Sequence, residues 1–359
     1  MITAASAVSF PETYPLEKLG RREDLLFFDI ETTGFSGDAS RVYLIGAVFW
    51  ENGGWQLIQW FADTPASEPE LLNAFFSLLK RYSVLVHFNG DTFDIPFLLK
   101  RCRQYGLPCS FSEVQSVDLY KRIRPFRKLL GLDSLKQKAI ERFLGICRQD
   151  PFSGGQLIEV YQEYLVSRDD RLYGMLVLHN REDLEGMPLI LPILSYPDFL
   201  EHEFVLEDQQ LMESSEAPAL RLRLRGCCRL PAAFSRESGG IAISASDSLL
   251  TLEIPLFAGT LKHFYPNYQD YYYLVCEDTA IHKSVGAFVD RNARKKATAA
   301  TCYTKKSGLF LPQPVPIWEP VMKEDCRSRL TYVEYRPQLF QSHDCLSRYV
   351  REILKAAGR

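Results

Sequence analysis

The sequence predicts an α/β layered domain followed by a second, β-rich region, and three observations carry that prediction. Apolar runs of strand length (Leu25–Thr32, Val42–Trp50 and Trp55–Ala62) follow one another across turn sequences. After them, short apolar runs alternate with segments that place apolar residues every three or four positions. Beyond residue 217 that period gives way to strict alternation, as in Leu220–Arg225. A hairpin followed by alternating strands and helices makes a mixed sheet flanked by helices.

Leu25–Thr32 is the first strand, closed by the turn sequence Thr33-Gly34-Phe35-Ser36-Gly37. Asn52-Gly53-Gly54 joins the next two strands as a hairpin, because asparagine and glycine accept the positive φ of tight turns. Ser67-Glu68-Pro69-Glu70 reads as a capping box, with proline near the helix start. Leu71, Leu72, Phe75, Leu78 and Leu79 then share one helical face. Val84–Val86 is a short buried strand broken by Asn89-Gly90, and a helix runs from about Phe93 to Tyr105, with Pro96 tolerable in its first turn. Residues 134–144, with Ser134 as N-cap, 155–166 and 171–194 read as helices. Glu201–Glu216 contains six acids and no Lys or Arg, and reads as a linker. Ile241–Phe257 and Tyr271–Val275 favour strands, 278–289 a helix, and Cys345–Ala357 a closing helix. The expected domains are therefore 1–200 and 217–359.

Composition narrows the function classes. Of the 359 residues, 46% are hydrophobic and 24% charged, an ordinary globular balance. No apolar run approaches the roughly 18 residues of a membrane span, and Met1 to Pro15 lacks the basic start and apolar core of a signal peptide. Nine cysteines with no Cys-x-x-Cys pair suit a reducing cytoplasm, so a cytoplasmic location with no membrane partner is expected. His263, Cys276, His282 and Cys302 match no zinc-finger spacing. The net charge of −3 excludes a wholly basic coating protein. Residues 201–359 hold 21 basic and 19 acidic residues, leaving 21 and 26 in 1–200.

Three segments carry the chemistry. Alternation puts Asp29 and Glu31 on one face at the end of the first strand. Two carboxylates there repel and lose solvation unless a cation joins them, although a lone Asp-x-Glu is usually just a solvated strand end. His87-Phe88-Asn89-Gly90-Asp91-Thr92-Phe93-Asp94 joins a strand to a helix and sets Asp94 in its first turn, where the bland reading is attraction to the positive helix end. His179 and Asp183 share a helical face at i and i+4, which can face a site or solvent. Asp91 reads as a turn residue, His87 as structural, and Asp118 as a support or helix-start residue.

In this order the motifs resemble the DEDD, or DnaQ-like, 3′–5′ exonuclease superfamily of the ribonuclease H-like fold, and within it the YprB-type proteins. Phe27-Phe28-Asp29-Ile30-Glu31-Thr32-Thr33-Gly34, Leu44-Ile45-Gly46, Phe88-Asn89-Gly90 with Phe93-Asp94-Ile95-Pro96-Phe97-Leu98, and Val117-Asp118-Leu119-Tyr120 with Leu135-Lys136 and Leu144-Gly145-Ile146 carry the likeness. It covers about 25–195. It implies that Asp29, Glu31, Asp94 and Asp183 bind metal. Hard oxygen ligands suit Mg²⁺ or Mn²⁺, in this superfamily two ions. The substrate implied is DNA or RNA with a single-stranded 3′ end. The general base of the superfamily is a His five residues before the last Asp or a Tyr four before it; here His179 stands at the Tyr spacing. A catalytically silent nucleic-acid or protein-binding module and a ribonuclease H-type endonuclease remain the alternatives on this fold.

The second region has its own signal. Seven cations, including Lys295, Lys296, Lys305 and Lys306, accompany one acid between 280 and 310, next to the tyrosine-rich stretch Phe264–Tyr273. Cations can track phosphates while aromatics stack on bases, so these lysines are the expected nucleic-acid contacts, on a surface leading toward the carboxylate pocket. A tyrosine core with a solvated basic loop is the alternative.

Overall fold

The chain opens on a strand that its sequence did not announce, β1 (Ile2–Val8). The structure, a computed structural model, describes residues 1–148, 154–213 and 217–358. Next come β2 (Leu25–Thr32), β3 (Val42–Glu51) and β4 (Gly54–Phe61), close to the runs expected for them. After these follow α1 (Glu68–Leu79), β5 (Val84–His87), α2 (Asp94–Gln104), β6 (Gln115–Asp118) and α3 (Leu119–Ile123). The helices α4 (Gln137–Phe143), α5 (Gly154–Ser167) and α6 (Asp170–Ile190) complete this part.

The six strands form one mixed sheet in the order β1-β4-β3-β2-β5-β6. The hairpin strands pair antiparallel, β5 and β6 join parallel to β2, and β1 covers the outer edge of β4. β2 is thus central, and Leu25–Phe28 are buried on both faces. On one face Leu26, Phe28 and Ile30 pack with Leu71, Leu72 and Phe75 of α1 and Phe97 and Leu98 of α2. Glu68, wholly buried, takes a bidentate bond from Arg101 (2.6 and 2.7 Å) and one from the Val42 N–H (2.9 Å). Arg101 also donates to Gly37 O, which pins the loop after β2 to α2. Along α6, Leu176, His179, Asn180, Asp183, Leu184 and Met187 recur at helical spacing.

Several sequence expectations are corrected. The Ser67 capping box does not form: Ser67 is itself in helical conformation, and its hydroxyl donates to Asp63. The 134–144 helix is shorter, because the Ser134 hydroxyl accepts from the nearby Lys136 N–H in a local turn and leaves Lys136 as the cap position. The 171–194 helix ends at Ile190 and tightens into a 3₁₀ turn, Leu191–Leu194.

From Asp198, inside α7 (Ser195–Glu201), the chain belongs to a second compact unit that also takes in residues 128–131. The expected acidic linker holds β7 (Val205–Met212), paired with β8 (Ala219–Arg225). Its acids are cross-strand partners: Glu207 bonds Arg225, and Asp208 stands opposite Arg223. Then come β9 (Phe234–Ser238), β10 (Ile241–Ser246), β11 (Leu249–Pro255) and β12 (Phe257–Phe264). The single run expected at Ile241–Phe257 is thus a hairpin, turned at Asp247 with φ of 53°. β13 (Tyr271–Leu274), β14 (Thr279–His282), α8 (Lys283–Gly286), β15 (Arg294–Lys296), β16 (Tyr303–Gln313), β17 (Thr331–Glu334) and α9 (His343–Gly358) follow. The helix expected over 278–289 starts later and is shorter: Thr279–His282 is strand, its backbone satisfied against β13, and Lys283–Gly286 alone is helical. The sheets are β7-β8-β11-β10-β9, β12-β16-β17 and β14-β13-β15. No helix among the described residues is long and apolar enough to cross a membrane.

Gly46 is the contact that lets α6 approach the sheet. A Cβ there would lie 2.2 Å from Asn180 Oδ1 and 2.3 Å from Leu184 Cδ1. Gly46→Ala is expected to cost about 1–3 kcal/mol by overpacking. Urea unfolding reports it, and an unchanged midpoint would contradict this packing.

Candidate metal centre

The site lies at the C-terminal end of β2, where three segments deliver acids. Alternation turns Asp29 and Glu31 away from the Leu26–Phe28–Ile30 face. Asp29 stands opposite Gly46 and Glu31 opposite Leu44. Asn180 on α6 donates through Nδ2 to Asp29 Oδ2 at 2.9 Å, and its Oδ1 accepts from Gln59 Nε2 at 2.8 Å. Gln59 and Asn180 are both buried, and together they orient Asp29. Neither was foreseen. The available signal was Gln59 itself, a polar residue in the inward stripe Trp55, Leu57, Gln59, Phe61.

One α6 turn links the remaining groups. His179 Nε2 lies 3.6 Å from Glu31 Oε1 and 3.4 Å from Asp183 Oδ2. Glu31, His179 and Asp183 bring their ligand atoms within 4.8 Å of one another. Asp94 enters from the start of α2, whose first turn is packed by Phe93 against Phe97 (5.6 Å between rings). Its loop is shaped by Asn89, which has φ of 65°, and by Asp118, which accepts from the N–H groups of Asn89 (2.9 Å), Asp91 (3.3 Å) and Lys121 (3.2 Å). Gly90 is required there, because a Cβ would sit 2.6 Å from His87 Nδ1 and 3.2 Å from Asp94 Oδ2.

The electrostatics match this crowding. Burial pushes the Asp29 carboxyl well above the usual range, and the charges of Asp183, Glu31 and Asp94 push it further. Burial likewise raises Asp94 to about 7, with Asp118 and Asp183 adding to the effect. All five sequence-derived residues, Asp29, Glu31, Asp94, His179 and Asp183, therefore belong to one neighbourhood. Buried carboxylate oxygens that repel one another fit a hard divalent cation, which would remove the cost of their charges.

A second group, His87, Asp91 and Asp118, has a different character. Its ligand atoms also come within 4.8 Å of one another, with Asp91 3.6 Å from Nε2 of the His87 ring and Asp118 3.9 Å from Nδ1, but both ring nitrogens and Asp118 are already engaged in local hydrogen bonds. His87 Nδ1 accepts from the Gly90 N–H (3.0 Å), and Nε2 meets Ser116 Oγ (2.7 Å). Burial lowers its pKa, which suits a neutral structural histidine.

A cleft of about 630 Å³ opens on the carboxylates, lined by Glu31, Thr32, Gly34, Phe35, Phe93, Lys136, Gln137, Lys138, Gly154, Gly155, Ile158, His179 and Asp183 among others. Phe35 is 85% exposed at this cleft.

Comparison with known proteins bears on the fold of the first unit. Residues 26–194 match the family described as the RNase_H superfamily. The fold of this part is ribonuclease H-like. A DNA polymerase of Pyrococcus glycovorans is 29% identical over 92 residues, covering 23% of this chain and 12% of that protein. DNA polymerase 1 of Aeropyrum pernix is 32% identical over 75 residues, 20% of this chain and 8% of that protein. The chain thus spans about a tenth of the length of these relatives. The family B DNA polymerase structure from Pyrobaculum calidifontis aligns with a TM-score of 0.39 at 14% identity, over 68% of this chain and 35% of that one.

In the second unit the four lysines differ. Lys295 and Lys296 are exposed on the edge strand β15. Lys305 pairs with Asp278, and Lys306 with Glu334 at 2.8 Å. Tyr273 donates to Asp278 at 2.6 Å and Tyr271 stacks on Tyr265 (4.9 Å), both beside the small core of Ala280, Ala297 and Cys302. Tyr272 carries Arg294 over its ring at 4.5 Å.

The pH dependence follows from Asp94. Its carboxyl titrates near 7 in the fold and at about 3.9 in an unfolded chain, so between these values the fold holds a proton that the unfolded chain has released. This group's stabilisation is present in full below about pH 4 and lost as pH rises through about 7. Melting temperatures in chelator are expected to fall from pH 5 to 8, and Mn²⁺ to reverse the fall. A rise over this range, indifferent to Mn²⁺, would contradict the crowding.

Proposed function

We propose that the chain is a metal-dependent nuclease that removes nucleotides from the 3′ end of DNA or RNA, a DEDD-type exonuclease of the YprB kind. The observation that carries this reading is the convergence of Asp29, Glu31, Asp94 and Asp183 from three segments on one end of β2. The relatives, being DNA polymerases, support nucleic acid as the substrate class.

These four carboxylates would hold two Mg²⁺ or Mn²⁺ ions, which supply charge neutralisation for the scissile phosphate and a more acidic water. The chain's own residues do the rest. Asn180 and Gln59 fix Asp29, so little reorganisation is needed when substrate arrives. His179 Nε2, 3.6 Å from Glu31 and 3.4 Å from Asp183, would take the proton from the attacking water. Lys136 and Lys138 line the cleft and can meet phosphate oxygens, while exposed Phe35 offers a face for a terminal base. Lys295 and Lys296 are the second unit's strongest phosphate contacts, since Lys305 and Lys306 already have acidic partners.

Digestion of matched 5′-labelled single-stranded DNA and RNA with Mg²⁺ or Mn²⁺ tests the reading. A ladder that shortens from the 3′ end, and stops when that end is blocked, is expected; continued cutting of the blocked strand would make the protein an endonuclease. Asp29→Asn is expected to lower turnover by about 10³-fold or more while keeping the fold, because the loss of a ligand charge removes several kcal/mol of transition-state stabilisation. His179→Ala is expected to lower it by roughly 10²–10⁴-fold. A near-normal rate in the histidine variant would leave water activation to the metals. Charge reversal at Lys295 and Lys296 is expected to weaken binding and flatten its salt dependence without touching metal affinity.

A further inference from the structure

Arg148 occupies a place that ordinary surface chemistry does not explain. Its side chain is 9% exposed, and its guanidinium divides its donors between two acids. Nε and Nη2 bond the two oxygens of Glu141, and Nη1 bonds Asp183 Oδ1. Glu141 is 1% exposed and also takes a bond from Gln137 Nε2 (3.1 Å), which in turn donates to Asp183 O (2.9 Å). α6 makes room for this group with Gly186. A Cβ there would sit 2.4 Å from Glu141 Oε1, 2.9 Å from Gln137 Nε2 and 3.3 Å from Arg148 Nη2. The arrangement splits Asp183: Oδ1 faces the guanidinium, and Oδ2 faces His179 at 3.4 Å.

We propose that Arg148 is a positioning residue of the metal centre, a resident cation that holds Asp183 and competes with a divalent ion for its carboxylate. This rests on the reading that the four carboxylates bind metal. The geometry gives the competition its form. An ion held by Glu31 and Asp183 finds Oδ2 available but must share Oδ1 with Arg148 or displace it. Glu141 keeps the guanidinium in place when Asp183 turns to the ion, so the cation stays paired in both states. Arg148 therefore holds the empty pocket together and lowers its affinity for metal.

Mn²⁺ binding measured by calorimetry, with melting temperatures in chelator and in saturating Mn²⁺, tests this. Arg148→Met is expected to bind Mn²⁺ about tenfold more tightly, because a nearby unit positive charge has been removed. Its loss of thermal stability against wild type is expected in chelator and to shrink in Mn²⁺. Unchanged affinity, with an equal stability loss in both conditions, would make Arg148 a plain structural ion pair and overturn the proposal. Should Arg148→Met not fold, ¹⁵N-arginine spectra of the wild type decide. The Arg148 Nη–H signals, identified by their absence in Arg148→Lys, are expected to move over the same Mg²⁺ range as binding, because Nη1 is the group bonded to Asp183. A signal that stays in place at saturating Mg²⁺ overturns the proposal. Asp29→Asn separates the two readings. If wild type takes up no Mn²⁺, the metal reading fails and this one with it; if uptake is lost in Asp29→Asn and unchanged in Arg148→Met, only Arg148's role fails.

Discussion

Mutual repulsion among buried carboxylates at the end of β2 is the constraint on which the rest of the first unit depends. Asp29 is buried and feels Asp183, Glu31 and Asp94 at once. Left alone, such a cluster opposes folding, since like charges in a poorly solvated pocket raise one another's energy. The fold answers it locally: Asn180 donates to Asp29, Arg148 to Asp183, and His179 sits between Glu31 and Asp183. A pocket of this kind is costly without a cation, and that cost is what the proposed metal site rests on.

Holding the acids at close range requires a rigid frame. β2 is buried on both faces and paired on both edges, so Asp29 and Glu31 have little freedom. Asp94 depends on a loop tied down by Asp118 and permitted by Gly90. α6 can bring Asn180 to the sheet only because Gly46 leaves space beneath it, and Gly186 on α6 leaves space for Glu141 and Gln137 beside Asp183. The two glycines act through their missing side chains.

The second unit follows a different logic. Its strands carry charge in cross-strand pairs, such as Arg221 with Glu253 (2.7 Å) and Arg225 with Glu207. That pairing consumes several basic residues that a residue count would assign to a partner. Lys305 and Lys306 are among them, whereas Lys295 and Lys296 stand exposed on an edge strand. Local charge density therefore overstated the free cations of this region.

Much of the first unit was legible in the sequence. Its strands announce themselves by apolar runs and an Asn-Gly-Gly turn, and Asp29, Glu31, Asp94 and His179–Asp183 stand out by spacing, because strand alternation and helical period are local properties of the chain. β1 and β6 were not legible, since each is a strand only by virtue of the neighbour it pairs with. The same holds for β7, whose acids look like a linker until the arginines of β8 lie across from them. Ser67 and Ser134 carry capping residue types but not capping geometry, which depends on backbone conformation outside the motif. Gln59, Glu141 and Arg148 became part of the site only through long-range contact with α6: Gln59 meets Asn180, 121 residues away, and Arg148 meets Asp183, 35 residues away. Sequence by itself determined which acids could serve and which elements carry them; tertiary structure decided which neutral and cationic side chains hold those acids in place, because such partners are chosen by packing across the sheet and leave no periodic trace along the chain.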